Sequence, residues 1–186
     1  PVEIEWIRGV HLAKLSLWLA TLAKEHPFTF VDHALRHGDS LVGLSRRQIT
    51  GFHWDPSRQK DIESAIIATR IERAADYRRK ILAAREDAAY ADQAQNLQLA
   101  DESLDLVRLV GDAVVAAFFS TDKPRARAAR CDELFGALSA WMASDLKPDL
   151  RRPVAEAVAE LRTGPHVVSP FHWEIEFPEV FGRASA

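Results

Sequence analysis

From residue 57 to residue 91 the chain contains neither glycine nor proline, and its composition favours helix throughout. Ile62, Ile66, Ile67, Ile71, Ala74 and Ile81 supply an apolar seam, while Glu72, Arg73, Arg78, Arg79, Arg85 and Glu86 supply a solvated side. A helical arm of roughly thirty residues reaches about 45 Å. A polar break is expected over 92–101. A second amphipathic helix follows, with Leu104, Val107, Val110, Val114 and Phe118 on one face and Asp105, Arg108 and Asp112 on another. Two such helices joined by a short polar segment form an antiparallel hairpin that projects from a compact body.

The flanking sequence divides around this hairpin. After a break at Thr121 to Pro124, the residues Cys131, Leu134, Leu138, Trp141 and Met142 predict a third helix. Pro148 interrupts again. Arg152 and Pro153 open a fourth helix with Val154, Ala157, Val158 and Leu161 inward, stopped by Gly164 and Pro165. Near the start of the chain, Leu12, Leu15, Leu19 and Leu22, with Trp18 beside them, predict a helix with a broad buried face, ended by Pro27. A short extended segment then leads to a strand end at Gly38-Asp39-Ser40-Leu41. Residues 43–57 read as mixed and linker-like. At the other end Phe171, Trp173, Ile175 and Phe177 alternate, which predicts a strand up to Pro178.

Composition narrows the functional classes. With 47% hydrophobic and 27% charged residues in 186, the chain has the balance of an ordinary folded domain. The formal net charge of -3 provides no overall attraction to nucleic acid, although it leaves room for a local basic face. The single cysteine, Cys131, excludes an intrachain disulfide and a multi-cysteine zinc site, and suits the cytoplasm. The most apolar runs, 12–23 and 107–119, are too short to span a membrane and carry Lys14 and Asp112.

Three constellations bear on chemistry. Gly38-Asp39-Ser40-Leu41 spells the nucleophile signature of a family of serine esterases, whose serine needs a histidine oriented by an acid. The Asp-x-x-His pair of those enzymes is missing: Thr163 precedes His166, and Ser169 precedes His172, at that spacing. Asp32, His33, His37 and Asp39 form a second group, in which two imidazoles four residues apart would share a helix face. Neither the glutamate of a zinc-protease motif nor a third ligand accompanies them, so no metal is assigned. The third is a set of arginines, Arg70, Arg73, Arg78, Arg79 and Arg85, with Arg125, Arg127 and Arg130 further along, able to meet DNA phosphates but interleaved with Glu63, Glu72, Asp76 and Glu86.

Four segments carry a resemblance. They are LAKLSLWL at 12–19, FVDHALR at 30–36, GDSLVG at 38–43 and FHWEIEFPEVF at 171–181. In that order they resemble the large adenine-specific (N6) DNA methyltransferases of type II restriction-modification and phage-defence systems. The resemblance implies an α/β Rossmann-like catalytic core that binds S-adenosylmethionine at the carboxyl ends of its strands, and a target adenine flipped out of the duplex. It further implies that Asp39 accepts a hydrogen bond from the cofactor's adenine amino group.

Two family motifs are missing from this sequence: the glycine-rich cofactor loop and the Asn-Pro-Pro-aromatic motif. The segment before Leu12 also departs from the family's Asp-x-Asn-Pro, reading PVEIEWIRGV. The chain, beginning at Pro1, therefore reads as a mostly helical fragment of a methyltransferase, inactive alone. Residues 1–45 would belong to the catalytic core, 46–166 would be a helical insertion between short strand segments, and 167–186 would return to the core. The insertion would position DNA or a neighbouring domain, with Arg70, Arg73, Arg78 and Arg79 as candidate DNA contacts. A non-catalytic helical module that binds another protein is the alternative.

Overall fold

The computed structural model describes residues 12–17, 19, 30–85, 88–164 and 167–182. Among the described residues, seven α-helices follow residue 45: α1 (Arg46–Thr50), α2 (Ser64–Leu82), α3 (Tyr90–Phe119), α4 (Pro124–Ala143), α5 (Pro148–Thr163), α6 (Trp173–Glu176) and α7 (Pro178–Phe181), with a short 3-10 helix at Pro56–Arg58 between α1 and α2.

Helix α3 is the axis of the body. From Ser103 to Ala117 nearly every residue is buried, including Leu104, Val107, Val110 and Val114 on one side and Leu106, Leu109, Val115 and Ala116 on others. A helix that is apolar most of the way round must be surrounded. Helices α2, α4 and α5 all pack against it, and α4 and α5 pack on each other. Ile67, Ile71 and Ala74 of α2, Leu134 and Leu138 of α4, and Val154 and Leu161 of α5 close the core. Cys131 is buried there too, donating to the Phe52 carbonyl. Burial, with the nearby Asp132 carboxylate, pushes its thiol up to about 11.

The hairpin of α2 and α3 differs from the expected one in its boundaries. Helix α2 begins only at Ser64, after Glu63 takes a left-handed backbone with φ 34°. Helix α2 ends at Leu82 and α3 starts at Tyr90, before the expected polar break, and α3 runs unbroken through 92–101. That stretch is polar yet rich in alanine, glutamine and leucine, so polarity alone does not end a helix. Pro148, expected to interrupt, sits in the first turn of α5, and Pro153 lies inside that helix. Residues 43–57 are a packed corner. Ser45 and Gln48 form a reciprocal capping box at α1, and Ile49, Phe52 and His53 are buried.

The expected α/β fragment is not what forms. Among the described residues there is no strand and no sheet; the one trace of β structure is an isolated parallel bridge between Asp39 and Pro170. The alternating segment from Phe171 folds as the two short helices α6 and α7. Ile175 and Glu176 donate their backbone N–H groups to the His172 carbonyl, and Phe177 donates to Trp173. A strand needs a neighbour to satisfy its N–H and C=O groups. With none alongside, the backbone closes on itself.

The leucine-rich segment near the start is helical over residues 12–17 and at 19, but its apolar face is not buried. Leu12, Leu15, Leu17 and Leu19 are exposed. Lys14 ties this helix to Asp32. Trp18, Leu22 and Pro27 lie outside the described residues. So do Glu86 and Pro165.

Candidate functional site

Two segments more than a hundred residues apart are joined face to face. The Asp39 amide donates to the Ser169 carbonyl at 2.7 Å, and the Phe171 amide to the Val42 carbonyl at 2.7 Å. The Leu44 amide donates to His172 Nδ1 at 3.0 Å, and Trp173 Nε1 to the Ser40 carbonyl at 3.1 Å. Arg46 completes the junction, its amide on Glu174 Oε2 and its guanidinium on the carbonyls of Glu174 and Pro178. This clasp requires glycine at two places. A Cβ on Gly43 would run into the Phe171 carbonyl, and one on Gly111 would lie 2.6 Å from His172 Nε2.

Behind the clasp lies a cavity of about 430 Å³, lined among others by Arg36, His37, Asp101, Arg108, Glu176 and His172. Its charges are matched internally. Arg108 forks onto Glu176 at 2.7 and 2.9 Å and reaches Asp101 Oδ1 at 2.9 Å. Arg36 approaches the same Asp101 carboxylate at 2.8 and 3.0 Å. Arg162 holds Asp112 at 2.6 Å. Burial alone would raise the Asp101 carboxyl, but Arg36 and Arg108 outweigh it and hold it below the usual carboxylate range. Burial likewise opposes the charge on Arg108, and Glu176 and Asp101 more than compensate, so its pKa is raised. His172 is fully buried with both ring nitrogens engaged, Nδ1 by the Leu44 amide and Nε2 by Asp112 Oδ1 at 3.2 Å. The proton therefore sits on Nε2, and the ring has no free nitrogen to offer a substrate. This arrangement binds the closing segments to the helical body.

A second buried ion pair lies on α2. Arg78 is fully buried and forks onto Glu179 of α7 at 2.7 and 2.9 Å, with Nη2 also donating to the His33 carbonyl at 2.9 Å. Its guanidinium lies 5.2 Å from the centre of the Phe177 ring. Arg78 thus leaves the set of candidate DNA contacts: a group spent on a buried carboxylate is not on a solvated face. Arg79, one residue on, is exposed but engaged by Glu72 and Asp76. Arg70 and Arg73 have no carboxylate partner among the described residues.

The remaining sequence candidates are placed as follows. Asp39 is exposed; its Oδ1 accepts from the Leu41 amide at 3.0 Å in a local turn. Ser40 is exposed, and its carbonyl accepts from Trp173 Nε1 in the clasp. His33 and His37 do not share a helix face, because residues 32–34 form a turn and 35–37 are irregular. His33 stacks on Phe30, whereas His37 lines the cavity. Among the described residues no group of three or more potential ligands could hold a metal.

Sequence reasoning did not foresee the charged clasp residues as a unit. The available signal was Asp112, a carboxylate inside the apolar run from Val107 to Phe119, which had to find a buried partner. No family model, curated protein or solved structure matches the chain.

Proposed function

We propose that the chain is the helical part of an adenine-N6 DNA methyltransferase of a cytoplasmic restriction-modification or phage-defence system, inactive alone. The observation that supports this reading is the clasp. Two of the segments that carry the resemblance, 38–43 and 171–181, meet through direct hydrogen bonds, so the helical body between them leaves and returns at one point. An insertion into an enzyme fold needs that geometry.

S-adenosylmethionine would supply the methyl group. Asp39 suits the role of acceptor for the cofactor's adenine amino group, since its carboxylate is exposed and Oδ2 has no partner among the described residues. The exposed Leu12, Leu15, Leu17 and Leu19 would be covered by another domain of the same protein. Those leucines also support the second reading, a non-catalytic helical module that binds a different protein.

The deciding experiment expresses the complete reading frame that contains this chain and measures methyl transfer to duplex DNA, with the product identified by mass spectrometry. N6-methyladenine, with a raised KM for S-adenosylmethionine in Asp39→Ala, is the expected result. Absence of N6-methyladenine overturns the reading. Calorimetry on the 186-residue chain should show weak cofactor binding or none.

A further inference from the structure

Helix α2 separates its charges by stripe. Ile66, Thr69, Arg70, Arg73, Tyr77 and Lys80 recur at three- and four-residue spacing and lie on one side of the helix, flanking the buried seam of Ile67, Ile71, Ala74 and Ile81. The next stripe round holds Glu72, Asp76 and Arg79, which engage one another. Both carboxylates of that stripe are therefore spent on Arg79. Arg70, Arg73 and Lys80 have no carboxylate within ion-pair distance among the described residues, and no acidic residue of α2 falls between them on their stripe. Lys80 Nζ sits 4.8 Å from the centre of the Tyr77 ring. Ala65, Ile66, Thr69, Arg70 and Arg73 line an open groove of about 340 Å³ at the other end of the stripe.

A cationic stripe left unneutralised in a chain of net charge -3 is a local exception to the overall balance. Its length is informative. Ten residues of α-helix separate Arg70 from Lys80, an axial rise of about 15 Å. Along B-DNA that distance covers about four phosphates of one strand, at about 3.4 Å of axis per charge. Arginine, lysine and tyrosine side chains all bond phosphate oxygens, which set position without reading sequence.

We propose that Arg70, Arg73 and Lys80, with the Tyr77 hydroxyl between them, form a phosphate-tracking stripe that lays α2 along the backbone of duplex DNA. Arg78 and Arg79 take no part. The choice of DNA as partner rests on the methyltransferase reading; the stripe itself rests on the pairing pattern of α2.

The test is fluorescence anisotropy of a labelled mixed-sequence DNA duplex with the 186-residue chain, read between about 50 and 200 mM salt. Each phosphate contact adds about 0.9 to the slope of log K against log salt, so the triple variant Arg70→Ala, Arg73→Ala, Lys80→Ala should flatten the slope by about 2.7. Arg79→Gln should leave it unchanged. The single variant Arg73→Glu, with helical circular dichroism retained, should also weaken binding and guards against misfolding of the triple. An unchanged slope in the triple variant, or an equal loss in Arg79→Gln, overturns the stripe; the first of these is also what an acidic protein partner would produce. A flattened slope with no N6-methyladenine from the complete protein would overturn the enzymatic reading and leave the stripe standing.

Discussion

In the helical body Leu104, Leu134, Leu138 and Val154 bury apolar surface with no partner to select among, and any well-packed neighbour would do. In the clasp, taken together with the buried ion pairs that back it, each residue has a named partner: Arg78 with Glu179, Arg108 with Glu176 and Asp101, His172 with Leu44 and Asp112. The body's stability grows with area and is spread over many side chains. The clasp concentrates its energy in a few buried charges whose desolvation must be offset by geometry. The body therefore tolerates loss in proportion to volume removed, whereas the clasp fails when one partner is taken away.

The largest effect should come from the clasp. Arg78→Ala strands a Glu179 side chain that is only 7% exposed, and breaking such a buried pair costs about 3–5 kcal/mol. Urea denaturation of Arg78→Ala checks this. The double variant Arg78→Met with Glu179→Leu should recover most of the loss, since it leaves no orphaned charge; a double variant as unstable as the single would show that the pair is not the cause. Next in size is a cavity in the body. Leu138→Ala in the α3–α4 seam should cost about 3 kcal/mol, with the urea midpoint lowered and the slope of the transition unchanged. Smaller again is Gly43→Ala, where overpacking against the Phe171 carbonyl should cost about 2 kcal/mol. Faster amide exchange at Leu44 and Phe171, with α4 and α5 unaffected, would place that damage in the clasp alone.

A pH titration separates the two regions further. Burial, then Arg78, lowers the pKa of His33; burial, then Arg58, lowers that of His53. Below the ordinary value of 6.5 the unfolded chain binds protons that the folded chain refuses, so this stability is present above pH 6.5 and is lost as pH falls through it. Asp101, also held low, gives a second loss as pH falls from its ordinary value of 3.8 through its depressed one. Replacing both histidines by glutamine should remove the first stage and leave the second. Persistence of the first stage would assign it elsewhere.

The body was legible because periodicity reports burial. Cys131, Leu134, Leu138, Trp141 and Met142, and likewise Val154, Ala157, Val158 and Leu161, lie inward as their spacing requires. The clasp was not legible, since Arg78 and Glu179 are 101 positions apart and nothing local marks either as the other's partner. Two misreadings share a cause. The alternation from Phe171 to Phe177 and the leucine face from residue 12 were both read as if a partner surface were present. Alternation makes a strand only where another strand accepts its hydrogen bonds, and an apolar helix face is buried only where something covers it.

The smallest expected effect sharpens the contrast between neighbours on one helix. Arg79 follows Arg78 directly, yet its partners Glu72 and Asp76 are more than half exposed and its own side chain is 49% exposed. Water screens that network, and holding three long side chains together costs rotamer freedom, so Arg79→Gln should change stability by no more than about 0.5 kcal/mol. Raising the salt concentration should shrink even that difference, while leaving the loss in Arg78→Ala almost untouched because its pair is shielded from ions. A large, salt-insensitive loss in Arg79→Gln would mean that the outer stripe of α2 is covered by something, and that the division between a buried clasp and a solvated face has been drawn in the wrong place.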